Sequence, residues 1–307
     1  MKIIKPNIIF GSSNLYFFKS LLKIFNININ YLKIDNFNDT EYNINFLKNF
    51  SGKSIFILQS LSFPIHDNII NLFLILNYLK KIAVKKIYLI IPYFCYSRQD
   101  KVFNEYNPIS IKLISNSLDN FKINKIITID SHSSNFECYF NTPIKVLKST
   151  SLIVDDIVKF HQEVDIIISP DIGGVLRAKN LANYLNLELV IIDKRRPIVN
   201  QIKIFCMIGN VINKKSIILD DIIDTGNSII EVTNFLFFHK IKTVIVYATH
   251  PVFSKQSYIK IINSKIKKII ISDTINFNYK NSKIRIITTK YLFIEEIKKI
   301  MLEEYEI

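Results

Sequence analysis

The residues Asp220-Asp221-Ile222-Ile223-Asp224-Thr225-Gly226-Asn227-Ser228 follow an apolar run at 216–219 and lead into a segment of helical period at 228–239. A loop that closes on a helix N-terminus presents unpaired backbone N–H groups and the positive end of the helix dipole, so it can hold a phosphate without a lysine. Gly226 allows close backbone approach, and Thr225 and Ser228 supply hydroxyl donors. Asp220 and Asp221 are anionic and cannot face a phosphate directly; their natural partners are sugar hydroxyls or magnesium. An acidic pair followed by a phosphate cradle reads as a site for a phosphorylated sugar. The plainer reading is a helix start capped by Asp and Ser.

Other polar blocks share that position. Ser97-Arg98-Gln99-Asp100, Asp130-Ser131-His132, Ser169-Pro170-Asp171 and Asp193-Lys194-Arg195-Arg196 each follow a short apolar run. The runs at 55–58, 87–91, 126–129, 166–168, 189–192, 217–219 and 244–246 are apolar on successive residues, as in strands covered on both faces. The segments 69–81, 109–120, 175–185 and 228–239 have helical period. Alternation of this kind predicts an α/β fold with mostly parallel sheets, whose ligands lie at the C-terminal strand ends. Lys148-Ser149-Thr150-Ser151 interrupts the pattern and marks a boundary, giving an expected N-terminal domain 1–147 and C-terminal domain 148–307.

At 307 residues the chain has length for about two domains of roughly 150. The net charge of +14 comes from lysines spread along the sequence, with short basic runs such as Lys194-Arg195-Arg196, which disfavours a nucleic-acid module. Cys95, Cys138 and Cys206 are isolated, without metal-ligand or disulfide-framework spacing. The apolar stretch 69–79 is broken by Asn71 and Asn77 and is shorter than the ~20 residues a membrane span needs. No membrane partner and a reducing, cytoplasmic setting are expected. Gly52-Lys53-Ser54 imitates the end of a P-loop, but Leu47 stands where that motif needs glycine, and the segment precedes a strand.

The 220–228 stretch resembles the phosphoribosyl-diphosphate signature of type I phosphoribosyltransferases, and the chain as a whole resembles the ribose-phosphate pyrophosphokinases. The resemblance rests on Ile91-Pro92-Tyr93, Tyr96-Ser97-Arg98-Gln99-Asp100, Ser169-Pro170-Asp171-Ile172-Gly173-Gly174-Val175, Ile191-Ile192-Asp193-Lys194-Arg195-Arg196-Pro197 and Tyr247-Ala248-Thr249-His250-Pro251, in that order. It implies two similar type I phosphoribosyltransferase-like domains, each a mostly parallel sheet flanked by helices. It also implies transfer of the β,γ-diphosphoryl group of ATP to the C1 hydroxyl of ribose 5-phosphate, with Mg2+ as cofactor. Arg98 and Gln99 match ATP-contacting residues, and Phe37, Asp39, Thr40 and Glu41 match a loop that reaches the adenine of a neighbouring subunit. The resemblance therefore implies a homo-oligomer, a hexamer by analogy. His132 and Asp171 match magnesium-associated positions, and Gly173 and Gly174 a turn facing the diphosphate. Lys194 and Arg196 match a mobile catalytic loop, with Arg196 also at the sugar phosphate. Asp220, Asp221, Asp224, Thr225, Gly226, Asn227 and Ser228 match the ribose 5-phosphate site.

Some positions depart from the family pattern. Residues 101–108 keep Lys101 and Pro108 but carry little of the family's positive charge, so a weaker hold on ATP phosphates is expected. Thr40 and Asn227 stand where glycine is usual; asparagine tolerates the left-handed backbone better than other residues with a Cβ. Two other readings share these features: a catalytically silent relative that regulates a true synthetase, and a salvage phosphoribosyltransferase. His132, Asp171, Lys194, Arg196, Asp220 and Asp224 argue against the first, and the ATP-type blocks against the second.

Overall fold

The computed structural model describes residues 5–27, 31–102, 105–195, 204–254, 256–279 and 281–305. The elements in chain order are β1 (Ile8–Phe10), α1 (Leu15–Ile24), β2 (Leu32–Asn36), β3 (Tyr42–Phe46), β4 (Ser54–Leu58), α2 (Ile65–Lys81), β5 (Lys86–Ile90), α3 (Ser110–Asp119), β6 (Lys125–Ile129) and β7 (Ile144–Leu147). They continue with α4 (Thr150–Phe160), β8 (Ile166–Ser169), α5 (Val175–Leu185), β9 (Glu188–Arg195), β10 (Ile204–Ile208), β11 (Lys215–Ile223), α6 (Asn227–Phe238), β12 (Thr243–Pro251), α7 (Ser257–Ile262), β13 (Lys268–Ser272), β14 (Ile284–Ile287) and α8 (Lys290–Tyr305). Among the described residues no helix is long and apolar enough to cross a membrane.

Two compact units result. One is Met1–Leu147 with Thr274–Asn276 and Thr288–Ile307; the other is Lys148–Asp273 with Phe277–Ile287. The expected second domain, 148–307, therefore requires correction: the C-terminal helix α8 belongs to the first unit. Packing is the reason. Phe293, Ile294, Ile297 and Ile300 of α8 share a core with Phe17, Phe18 and Leu21 of α1 and with Ile8, Phe56 and Ile127 of the sheet. Polar contacts fasten the same helix. Tyr88 donates to Glu304 at 2.7 Å, and Lys125 reaches Glu296 at 2.6 Å.

In the first unit a five-stranded parallel sheet has the order β1-β4-β5-β6-β7. Its middle strands, such as Ile55-Phe56-Ile57-Leu58, are buried on successive residues, which is why they read as unbroken apolar runs. Helix α2 places Ile69, Leu72, Ile75, Leu76 and Leu79 along one buried stripe. Strands β2 and β3 pair antiparallel in a separate ribbon, in register Leu32 to Phe46 and Asn36 to Tyr42.

In the second unit the order is β10-β9-β8-β11-β12-β13-β14, parallel throughout except for β10. Strand β11 serves two cores, with Ile218 and Ile223 in one and Ile217 and Leu219 in the other. In this glycine-poor chain, Asn26, Ala83 and Lys240 take the left-handed position after α1, α2 and α6 that glycine usually fills.

Candidate active site

Strand β11 carries Asp220 opposite Ala248 and Ile222 opposite His250 of β12. The acidic pair therefore sits on the end of a strand, which corrects the expectation of a loop starting at Asp220. Burial draws the strand onward, because Ile223 is 1% exposed and packs in a core with Ile229 and Ile261. Asp224-Thr225-Gly226 makes the turn, and α6 begins at Asn227.

Gly226 has φ +74°, and a Cβ there would stand 2.6 Å from Ile261 Cδ1. Asn227 is the first helical residue and its side-chain oxygen lies 3.4 Å from Lys260 Nζ. The one left-handed residue of the turn is thus the glycine, and the asparagine carries no backbone burden. Thr225 and Ser228 are exposed beside the α6 N-terminus.

The turn after β8 is tied through Asp171. The Gly174 N–H donates to Asp171 Oδ1 at 2.9 Å, and the Ser169 hydroxyl donates to the Asp171 carbonyl at 2.7 Å. A Cβ on Gly173 would meet Asp171 Oδ1 at 3.5 Å, and on Gly174 Ser169 Oγ at 3.0 Å. Neither glycine has positive φ; only Gly174 is closely approached, while Gly173 has room for a Cβ.

Helix α5 reaches the acidic pair through Arg177. Its Nη1 lies 3.0 Å from Asp221 Oδ1 and 4.0 Å from Asp220 Oδ1. Asp220 folds back to accept the Asp221 N–H at 2.9 Å. Burial raises the Asp220 carboxyl well above the ordinary carboxylate range; neighbouring Asp221 and Asp171 add to the rise and Arg177 opposes it. Carboxylates that repel one another in this way offer hard oxygen donors, and a divalent cation would relieve their repulsion. The donor set of Asp171 and Asp220 fits such an ion.

Lys194 lies within β9, opposite Phe205 of β10 in an antiparallel pair, rather than in a free loop. Arg196 lies outside the described residues.

The first unit holds the remaining residues. Phe37, Asp39, Thr40 and Glu41 form the tip of the β2–β3 ribbon, closed by Phe37 N–H to the Glu41 carbonyl at 2.8 Å and Glu41 N–H to Asp39 Oδ1 at 3.1 Å. Phe37 is 55% exposed there, and Thr40 has φ +75°. After β5, Arg98 is exposed, and Gln99 Oε1 accepts from the Ser110 hydroxyl at 2.5 Å. His132 is exposed two residues beyond Asp130, whose φ is +43°. Backbone in this region is uncommon for a residue with a Cβ and tends to gather at functional sites. Among the described residues no three His, Cys, Asp or Glu side chains form a metal-holding group. The expected metal pair is divided, His132 in the first unit and Asp171 in the second.

Residues 6–121 match the family described as the N-terminal domain of ribose phosphate pyrophosphokinase, and residues 139–281 match the phosphoribosyl transferase domain. A ribose-phosphate pyrophosphokinase from Campylobacter jejuni is 33% identical over 94% of this chain and 94% of its own length. The chain belongs to the ribose-phosphate pyrophosphokinase family. A further ribose-phosphate pyrophosphokinase, from Bacillus caldolyticus, is 33% identical over 86% of this chain and 84% of its own. The fold agrees with phosphoribosylpyrophosphate synthetase from Mycobacterium smegmatis at a TM-score of 0.92, with 24% identity over 98% of this chain and 100% of that one.

In this pyrophosphokinase-family chain, α8 lies beyond both family matches yet completes the first unit's core. Arg177 is the site residue that sequence reasoning missed. Its signal was present: it stands three residues after Gly174, in the first turn of a helix, where a cation opposes the helix dipole and needs carboxylates nearby.

Proposed function

We infer that the chain is a ribose-phosphate diphosphokinase, moving the β,γ-diphosphoryl group of ATP to the C1 hydroxyl of ribose 5-phosphate and releasing AMP. The observation that carries this reading is 33% identity along nearly the full length of a ribose-phosphate pyrophosphokinase. The second unit's carboxylate pair beside a glycine turn and helix start supports it chemically.

Ribose 5-phosphate binds with its phosphate in the turn Asp224-Thr225-Gly226-Asn227-Ser228, where the first N–H groups of α6 and the hydroxyls of Thr225 and Ser228 donate. Asp220 and Asp221 accept from the ring hydroxyls, which fixes the C1 hydroxyl. Arg98 and Gln99 hold ATP, and Phe37, Asp39, Thr40 and Glu41 contact adenine from a second copy of the chain. The exposure of Phe37 at a ribbon tip supports a homo-oligomer, taken as a hexamer. The turn at Asp171, Gly173 and Gly174 takes the diphosphate.

The C1 oxygen attacks the β-phosphorus, the bond from that phosphorus to the oxygen bridging to the α-phosphorus breaks so that AMP leaves with that oxygen, and the hydroxyl proton passes to water. Such transfer relies on alignment and on stabilising charge at the leaving and entering oxygens. Lys194 and Arg196 supply positive charge there. Asp171 and Asp220 would hold Mg2+, with His132 acting through water or phosphate, and an ion bound there would supply screening of phosphate charge. The cysteine usage supports a reducing, cytoplasmic setting. A steady-state assay that follows AMP tests the reading. AMP forming only when ATP, ribose 5-phosphate and Mg2+ are all present is expected, and folded protein giving none returns the silent-relative reading.

A further inference from the structure

We propose that Arg177 is a positioning residue for the sugar, acting through Asp221 and Asp220 to fix the carboxylate pair in the rotamers that receive the ribose hydroxyls. The inference rests on the functional reading above and adds a residue to it. Asp221 is 4% exposed, so its charge is withdrawn from water and needs a partner within the fold. Arg177 supplies that partner from α5, at 3.0 Å from Asp221 Oδ1. The same nitrogen stands 4.0 Å from Asp220 Oδ1, and Asp220 is turned back onto the Asp221 N–H at 2.9 Å. The guanidinium therefore holds Asp221 directly and stands near Asp220, which is tied to Asp221 through that backbone hydrogen bond, and it does so from the helix that begins directly after the Asp171-Gly173-Gly174 turn.

Helix propensity does not explain the arginine. A cation in a first helical turn is opposed by the dipole, and the cost is offset only where carboxylates are fixed nearby. A guanidinium donates along fixed directions to Asp221, and a lysine ammonium would hold the charge without that geometry. Asp171 from the turn after β8 and Arg177 from α5 are among the charged groups that act on Asp220, and Ala248 of β12 lies opposite it in register. Arg177 opposes the mutual repulsion of Asp220, Asp221 and Asp171, so its loss would weaken the hold on the pair.

Arg177→Gln and Arg177→Lys are to be compared with the unaltered chain by equilibrium binding of ribose 5-phosphate, by KM for each substrate and by thermal melting. For Arg177→Gln, ribose 5-phosphate affinity and KM should worsen by about tenfold or more while KM for ATP stays within about twofold, and Arg177→Lys should recover part of the loss. Unchanged sugar affinity in folded Arg177→Gln, an equal rise in both KM values, or no recovery with lysine would each overturn the proposal. Should Arg177→Gln fail to fold, Arg177→Lys decides: severalfold weaker sugar binding supports the role, and unchanged binding overturns it. If the unaltered chain binds no ribose 5-phosphate, the functional reading falls first and this inference with it.

Discussion

A Cβ on Gly226 would stand 2.6 Å from Cδ1 of Ile261, inside any ordinary carbon contact. The residue also has φ +74°, so a side chain there meets strain and collision together. Gly226→Ala should cost about 1–3 kcal/mol of stability by this route. It should also raise KM for ribose 5-phosphate, because the turn and the α6 N-terminus move together. Denaturant unfolding and steady-state kinetics check both; an alanine variant as stable and as active as the parent would remove the close packing from the account.

Thr40 is the opposite case. A β-branched residue at φ +75° closes the ribbon tip, where its N–H reaches the Phe37 carbonyl at 3.0 Å. Thr40→Gly should release about 1 kcal/mol of backbone strain, less the entropy a glycine adds to the unfolded chain. A modest rise in midpoint denaturant concentration is the expected reading, and a clear fall would mean the threonine side chain holds the tip.

The contrast between these two positions says how far the sequence could be read. Gly226 announced itself by type and place, since a glycine before a helix beside acidic residues has few other uses. The strand runs were legible because isoleucine on successive positions has one economical placement, between two covered faces. Three features were not legible. The extension of β11 through Asp220 and Asp221 depends on Ile223 finding a core with Ile229 and Ile261, a contact between distant parts of the chain. The return of α8 to the first unit depends on Phe17 and Phe18, again far in sequence. Arg177 could be marked as a cation in a first helical turn, but its partner could not, because Asp221 lies on a strand 44 residues on.

Phe293 tests the placement of α8. Its ring meets Phe17 edge-on, centroids 5.8 Å apart at 81°, in a fully buried position. Phe293→Ala should destabilise the first unit by about 3–5 kcal/mol. Hydrogen exchange should quicken at β1 and β4 while β11 and β12 keep their protection. Loss of protection confined to β11 and β12 would refute the assignment of α8 to the first unit.

His161 gives the second unit an acid-sensitive element. Its side chain lies 3.4 Å from Arg285, which forks onto Asp156 together with the hydroxyl of Tyr247. Burial first, then the Arg285 charge, hold the imidazole below its ordinary value of 6.5, with Asp156 and Glu163 opposing. The unfolded chain therefore takes up the proton before the folded one. The stability is fully present above pH roughly 6.5 and is lost as pH falls through the lower folded value. His161→Asn should flatten that part of the stability–pH curve. A curve of unchanged slope below pH roughly 6.5 would show that other groups govern it.

A diphosphoryl group is expected to move as a unit from ATP to ribose 5-phosphate. The most direct test follows the label from ATP carrying radioactive phosphorus at the β position, incubated with ribose 5-phosphate, Mg2+ and the protein. The account predicts that the label appears in the sugar product, with AMP released unlabelled in equal amount. Label retained in ADP, or no labelled sugar from folded protein, would contradict it.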